Sequence, residues 1–184
     1  GSIVYTANLD NVAQTPVTLT LSNGATITID AGASSGTVNV PAPADDAYLD
    51  AGNVLVTLSS ATGGNFEYLA IDPAPAITAI SDTIDVTTVS LTASTSVAEG
   101  GSIVYTASLS NPAETVVSVT LSNGAVIDIA AGTSSGTISV PAPSDDAYID
   151  AGSISATIAS ASGGNFESLA VNPASATTTI TDTL

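Results

Sequence analysis

Carboxylates are the only charged side chains in this sequence. Its 184 residues include 17 Asp and Glu but no Lys, Arg or His, so the formal net charge is −17. A cluster of acidic oxygens can bind a hard divalent cation, and a pair of carboxylates can also perform acid–base catalysis. These are the two kinds of chemistry that the ionisable side chains of this chain allow.

The missing residue types exclude several functions. Phosphate binding depends on Lys or Arg, so we expect neither nucleic acid nor an anionic membrane surface as a partner. No apolar run approaches transmembrane length, so membrane insertion is not expected either. Ser and Thr are abundant, but the chain has no His, Lys or Cys that could activate them as nucleophiles. We therefore predict that the protein is not an enzyme.

The sequence repeats itself with a period of 100 residues. Residues 1–7 return unchanged as 101–107, and 54 of the 84 overlapping positions are identical. A period of this length indicates independently folding domains rather than a solenoid. We predict one domain over residues 1–84, a short linker over 85–88 and a second domain over 89–184.

Comparison of the two copies separates the acidic residues into two groups. Acidic residues that face a non-acidic residue in the other copy are typical of solubilising surface charges. Asp85 and Glu99 lie outside the overlap, so the comparison does not classify them. The acidic residues that recur are Asp45 with Asp145, Asp46 with Asp146, Asp50 with Asp150, Glu67 with Glu167, and Asp82 with Asp182.

Alternating apolar residues indicate β-strands that must position these acids. Ile103, Tyr105 and Ala107 fall on one face of such a strand, and Asn123 with Gly124 is typical of a hairpin turn. No segment shows helical periodicity. We predict an all-β fold of two tandem immunoglobulin-like β-sandwich domains, each with about seven strands.

The two copies differ at their starts. Residues 89–100 alternate like a strand ahead of the second copy, whereas the first copy starts at Gly1. We therefore expect the first domain to lack its N-terminal strand and to leave an exposed sheet edge.

An immunoglobulin-like topology would bring recurring acids together. The loop over residues 145–150, the end of the first strand at Glu99 and the end of the last strand at Asp182 would share one end of the domain. Like charges at close range cost free energy, which a divalent cation offsets. Calcium suits such loops better than magnesium, because magnesium prefers fewer protein ligands and stricter geometry. A solvated acidic loop and an acidic-dyad hydrolase are the alternatives.

The boundary between the copies is also acidic. Asp82 and Asp85 follow the last strand of the first copy and should lie beside its acidic loop, which contains Asp45, Asp46 and Asp50. No Gly-, Ser- or Pro-rich spacer separates the copies. We hypothesise that calcium at this junction converts a jointed chain into a stiff rod.

Several motifs resemble a known family. Residues 131–150, together with 97–100 and 179–182, resemble a Calx-β-like repeat, and the whole chain is similar to the extender repeats of large bacterial RTX adhesins, the large adhesion proteins. This resemblance implies a structural spacer at the bacterial cell surface, exported by type I secretion and used in surface attachment and biofilm formation. It also implies these calcium ligands: Glu99, Asp145, Asp146, Asp150 and Asp182, with Asp45, Asp46, Asp50, Asp82 and Asp85 at the first junction.

The partners implied by the resemblance are calcium ions and neighbouring repeats of the same polypeptide, and we expect the chain to be a monomer. The alternative function is a carbohydrate- or surface-binding adhesive module. Exposed Thr side chains over residues 177–179 would favour that alternative, whereas the shortage of aromatic residues, on which sugars usually stack, disfavours it.

Overall fold

The computed structural model describes residues 1–50, 52–149 and 152–183. All regular structure in this part of the chain is β-strand, which confirms the all-β prediction. It accordingly contains no helix with the length and apolar character needed to cross a membrane. The chain divides into two compact units, unit 1 (Gly1–Asp45 and Asp50–Asp82) and unit 2 (Asp46–Leu49 and Thr83–Leu184).

Unit 1 is built from short strands joined by turns. In chain order they are β1 (Ser2–Asn8), β2 (Val17–Leu21), β3 (Thr26–Ile29), β4 (Ser35–Pro41), β5 (Gly52–Val56), β6 (Leu58–Gly63) and β7 (Ala76–Ile80). β1 pairs with β4, β2 lies between β3 and β6, and β5 pairs with β7, in each case antiparallel.

Unit 2 repeats this arrangement and adds strands to it. Its strands are β8 (Val86–Ala93), β9 (Ser96–Ala98), β10 (Ser102–Leu109), β11 (Val117–Leu121), β12 (Val126–Ile129), β13 (Ser135–Pro141), β14 (Gly152–Ala156), β15 (Ile158–Gly163), β16 (Ser168–Val171) and β17 (Ala176–Thr181). They form three sheets with the orders β13-β10-β8-β16, β12-β11-β15 and β14-β17-β9.

The core of unit 2 lies between facing sheets. Ile103, Tyr105 and Ala107 are buried because alternate side chains of β10 point to the same face. Val117 and Val119 of β11 enter the same buried cluster from the sheet of β11 and β12. Aliphatic residues at every second position therefore generate a sandwich, as the alternation predicts.

One predicted strand is interrupted. Alternation suggests a single strand through Ile154, Ala156 and Ile158, but the chain leaves β14 and enters β15 at Thr157. The backbone N–H of Thr157 donates to Ser122 Oγ at 3.1 Å, and the N–H of Ser122 donates to the Thr157 carbonyl at 2.9 Å. This exchange anchors the point at which the chain passes from the sheet of β17 to the sheet of β11.

Two parallel pairings organise the start of unit 2. β8 pairs antiparallel with β10 and parallel with β16, and β9 pairs parallel with β17. Because residues 86–89 pair with β16, β8 begins at Val86, earlier than the predicted start at Val89. Residues 86–88, which we predicted as a linker, therefore belong to the sheet.

The equivalent edge of unit 1 is open. Within the part of the chain that the structure describes, β1 pairs with β4 alone, and residues 68–71, the counterparts of β16, are not a strand. A groove runs beside β1 and is lined by Tyr5, Ala7 and Leu9 on one side and by Leu69 and Ile71 on the other. In unit 2 the counterpart of this groove holds β8.

Candidate metal centres at the acidic loops

Unit 1 brings three of the predicted ligands together. Carboxylate oxygens of Asp45 and Asp82 lie within 4.8 Å of each other, and the backbone N–H of Asp50 donates to Asp82 Oδ2 at 3.3 Å. The sheet explains the proximity of Asp50 and Asp82, because Gly52 at the start of β5 pairs with Ile80 at the end of β7. Residues just before β5 and just after β7 are therefore neighbours.

The spacing of the Asp45 and Asp82 oxygens fits one shared calcium ion. Calcium binds oxygen at about 2.3–2.6 Å, so two ligands of one ion lie no more than about 5 Å apart. Asp45 is exposed and Asp82 is half-buried, which leaves the pair accessible to an ion. No cationic side chain exists in the sequence to offset their repulsion.

The other two predicted ligands from this region, Asp46 and Asp85, belong to unit 2. Asp46 Oδ1 accepts the backbone N–H of Tyr48 at 2.9 Å, a turn typical of Asp. The N–H of Asp85 donates to Glu167 Oε2 at 2.6 Å. Asp46 and Asp85 line one small pocket together with Tyr48 and Asn111, so the fold places both acids at the same surface of unit 2.

The side chain of Tyr48 anchors the segment Asp46–Leu49 within unit 2. Its ring stacks on Phe166 with a centroid distance of 5.7 Å and an interplanar angle of 24°. Its hydroxyl donates to the carbonyl of Pro112 at 2.7 Å. Such offset aromatic pairs are favourable beyond the area that they bury. We did not predict Tyr48 as a site residue, although its recurrence as Tyr148 was a signal in the sequence.

Backbone hydrogen bonds also join this segment to residues 165–167. Leu49 N–H donates to the Asn165 carbonyl at 3.0 Å, and Glu167 N–H donates to the Ala47 carbonyl at 3.1 Å. The two bonds flank the Tyr48–Phe166 pair as in an antiparallel ladder. Glu167 thus uses its backbone for this segment and its carboxylate for Asp85, roles that only its recurrence with Glu67 could have suggested.

The predicted ligands of the second copy are also neighbours. In the parallel pair of β9 and β17, Ala98 lies opposite Thr181, so the next residue of each strand is Glu99 and Asp182. The N–H of Glu99 donates to the Thr181 carbonyl at 3.0 Å. The Glu99 side chain is only 7 % exposed, and a carboxylate buried to this degree requires groups that stabilise its charge.

Asp145 lies at the same end of unit 2. The N–H of Gly100, next to Glu99, donates to the Pro143 carbonyl at 2.6 Å, which draws the loop after β13 toward β9. Asp145 Oδ1 accepts a hydrogen bond from Thr183 Oγ1, immediately beyond Asp182. The end of β9, the acidic loop and the end of β17 therefore meet, although the structure divides the predicted first strand over residues 89–100 into β8 and β9.

The remaining two predicted ligands of the second copy are Asp146 and Asp150. Asp146 is exposed, and its Oδ1 accepts the N–H of Tyr148 at 2.7 Å, which repeats the turn at Asp46. Asp150 lies outside the described residues.

Comparison with known families gives a match to each of the two copies. A sequence model of the LapA domain matches residues 1–83 and again residues 85–183. LapA is a large adhesion protein of bacteria. No curated protein matches the chain. The two LapA matches follow the same tandem order as the internal repeat and together cover nearly every residue.

Proposed function

Because the chain belongs to the LapA domain family, we propose that its two units are structural extender repeats of a secreted, cell-surface bacterial adhesin. In this role they act as spacers that project a ligand-binding region of the parent protein for surface attachment and biofilm formation. The resemblance to RTX adhesins and to Calx-β-like repeats supports the same role, with export by type I secretion.

We further propose that calcium stabilises and stiffens these repeats. The observation that supports this step is the proximity of the Asp45 and Asp82 carboxylates in unit 1, with acidic residues adjacent at the ends of β9 and β17 in unit 2, in a chain without any cationic side chain. Bringing such charges together costs free energy in the absence of a counter-ion. A cation bound at each cluster offsets the repulsion between the carboxylates and holds the loops that supply its ligands in place.

The ligands that we assign come from loops that follow or precede strands. In unit 1, Asp45, Asp50 and Asp82 would hold the ion. In unit 2, Glu99, Asp145, Asp146, Asp150 and Asp182 form the corresponding set, and Asp46 and Asp85 supply further acidic oxygens. When calcium occupies the repeat junctions, we expect the parent protein to behave as a stiff rod rather than as a jointed chain.

The proposed role requires no catalysis. The composition supports this view, because no His, Lys or Cys is available to activate a nucleophile. The proposed partners are calcium ions and neighbouring repeats of the same polypeptide, and the isolated chain is expected to be monomeric.

Thermal melting tests the calcium proposal. The chain is melted with calcium, with magnesium and with a chelator. Calcium at about 100 times its dissociation constant should add about 2.7 kcal/mol per site, which corresponds to a rise in Tm of about 10–20 °C for a domain of this size. Magnesium should raise the Tm less. Equal melting in calcium and chelator would show that the acidic clusters do not bind the ion.

A variant pair assigns the effect to the predicted ligands. Asp45→Asn with Asp82→Asn removes two charges from the cluster of unit 1 and should abolish the calcium-dependent shift of that unit. Asp10→Asn with Asp30→Asn is the matched control, because both residues are exposed and have the non-acidic counterparts Ser110 and Ala130. If the control variant loses the shift to the same extent, the effect reflects general charge and not a site.

Small-angle scattering tests the stiffening. A rod should keep its dimensions in calcium and become shorter on average and more variable when a chelator is added. Unchanged scattering profiles would leave calcium with a role in stability alone and would overturn the stiffening.

A further inference from the structure

The segment Asp46–Leu49, which Tyr48 anchors within unit 2, has an exposed counterpart. Residues 146–149 repeat Asp46–Leu49 with one conservative change, Leu49 to Ile149. Both segments form the same turn, in which the Asp side chain accepts the N–H of the Tyr. Tyr48 is half-buried against Phe166, whereas Tyr148 is 76 % exposed and Ile149 is 88 % exposed. Leu49 is also exposed, so Tyr148 is the side chain that unit 2 displays in solvent although its counterpart, Tyr48, is used for packing.

Unit 1 carries the matching surface. Residues 63–67 are identical to residues 163–167, and the two Asn residues share a left-handed conformation, with φ of 56° at Asn65 and 60° at Asn165. Phe66 is half-buried, whereas Phe166, which Tyr48 covers, is 6 % exposed. The backbone groups that receive Asp46–Leu49 in unit 2 thus have equivalents in unit 1, beside an aromatic ring that is more open.

We propose that residues 146–149 are a docking segment whose partner is a second LapA-type unit, bound at the surface formed by residues 65–67. This inference deepens the proposed function by naming the contact through which one repeat recognises the next, and it rests on that function for its biological setting. The expected contacts copy those of Tyr48: Tyr148 on the ring of Phe66, the Tyr148 hydroxyl to the carbonyl of Val12, Ile149 N–H to the Asn65 carbonyl, and Glu67 N–H to the Ala147 carbonyl.

The contact is expected to be weak between separate molecules and effective within a tandem chain. It comprises one aromatic pair and a few hydrogen bonds, and each copy of the chain carries a net charge of −17, which opposes association. A short connection between repeats raises the effective concentration to about the millimolar range, which compensates for low intrinsic affinity. Salt should strengthen association between separate molecules by screening their repulsion.

Paramagnetic broadening between two copies tests the docking, because the chain has no Cys and accepts a spin label at a single introduced site. A ¹⁵N-labelled chain is mixed with an unlabelled chain that carries the label at Thr62→Cys, an exposed position in β6 close to Asn65. In a chelator and about 0.5 M NaCl, we expect the amides of residues 147–149 to broaden more than any others. A chain labelled at Thr92→Cys, exposed in β8, is the control and should not single out these residues.

A variant identifies the side chain responsible. Tyr148→Ala in the ¹⁵N-labelled copy should remove the selective broadening, whereas Val126→Ala, at another exposed apolar residue, should preserve it. The proposal is overturned if residues 147–149 broaden no more than the rest of the chain, or if broadening centres on the open edge of β1 instead. Because calcium is absent from this measurement, a failed calcium response in thermal melting leaves the docking result unaffected.

Discussion

Tyr5 and Tyr105 occupy equivalent buried positions, and neither hydroxyl has a hydrogen-bond partner among the residues that the structure describes. Burial without a partner costs a hydroxyl about 1–3 kcal/mol. Burial also raises the pKa of the Tyr105 phenol, because desolvation disfavours the phenolate. The rings of both tyrosines therefore stabilise the core by packing, whereas their unsatisfied hydroxyls lower the free energy of unfolding.

Removal of the Tyr105 hydroxyl should stabilise unit 2. Tyr105→Phe is expected to raise the free energy of unfolding by about 1 kcal/mol at neutral pH, because it deletes an unsatisfied buried group. Since the folded pKa is raised, the neutral phenol contributes fully below about pH 10 and its contribution is lost as the pH rises further. The variant should therefore lose less stability above pH 10, as measured by urea unfolding at several pH values.

The same substitution at Tyr48 provides the control with the opposite sign. Tyr48→Phe removes a hydrogen bond that is made, to the carbonyl of Pro112, and should lower the free energy of unfolding by up to about 1 kcal/mol. If both variants shift stability in the same direction, the unsatisfied hydroxyl is not the cause.

Gly164 combines a positive φ with a crowded environment, so both its backbone conformation and its lack of a side chain matter. Its φ is +88°, and a Cβ at this position would collide with the ring of Phe166. Gly124 has a similar φ of +84° but no atom within 4 Å of such a Cβ. Comparison of Gly164 with Gly124 therefore distinguishes the cost of backbone strain from the cost of steric overlap.

Gly164→Ala should therefore destabilise unit 2 much more than Gly124→Ala. The conformational cost common to both is about 1–2 kcal/mol, and the displaced Phe166 ring should add about 1–3 kcal/mol at Gly164. Chemical denaturation of the two variants measures the difference. Equal destabilisation would mean that the Phe166 ring moves aside at no cost.

At the scale of elements, the two units show what β8 contributes. With β8 in place, residues 168–171 form a strand and the core side chains of unit 2 are shielded on both faces. In unit 1, residues 68–71 form no strand, and the groove beside β1 leaves Leu9, Leu69 and Ile71 only half-buried. The strand β16 is thus present in the unit that has β8, and its counterpart is absent from the described residues of the unit in which β1 pairs with β4 alone.

A copy of β8 and β9 should stabilise unit 1 when it is supplied to the groove. The chain is extended before Gly1 with the sequence of residues 85–100. The added side chains equivalent to Val89 and Leu91 should each contribute about 1.5–3 kcal/mol on burial, part of which is offset by ordering the strand. We expect the Tm of unit 1 to rise by about 5 °C or more.

A matched extension controls for length. The same added sequence with Val89→Asp and Leu91→Asp in the copy places charges at the inward positions and should give no rise. Hydrogen exchange at Tyr5 and Ala7 locates the effect on the edge of β1. If both extensions stabilise the chain equally, the groove does not accept a strand of this type.

At the scale of the whole molecule, the charge is entirely of one sign. With a net charge of −17 and no basic residue, every long-range interaction between side-chain charges in the chain is repulsive. This repulsion keeps the protein soluble and opposes compaction, so stability should depend strongly on the ions in solution.

Monovalent salt should raise the Tm even when a chelator is present. Between about 0.01 M and 0.15 M salt the screening length falls from about 30 Å to about 8 Å, which weakens repulsion between exposed acids. We expect a rise of a few degrees that is the same for NaCl and choline chloride, because screening does not depend on the identity of the cation. A response to sodium alone would instead indicate a specific monovalent site.

The fold class and most of the acidic residues of the candidate site could be predicted from the amino-acid sequence. Alternation with period two reports which face of a strand is buried, and the internal repeat identified the acids that recur, including Asp45, Asp82 and Asp145. The adjacency of Glu99 and Asp182 followed from the expected topology and is observed in the register of β9 and β17.

The pairing of the strands, in contrast, could not be predicted from the amino-acid sequence. Alternation does not encode the neighbour of a strand, so the parallel pairs of β8 with β16 and of β9 with β17 were not predicted. For the same reason we did not predict that the chain passes from one sheet to the other at Thr157, or that Tyr48 stacks on Phe166. Each depends on contacts between residues far apart in the chain, and a single Thr or Tyr carries no local pattern that specifies such a contact.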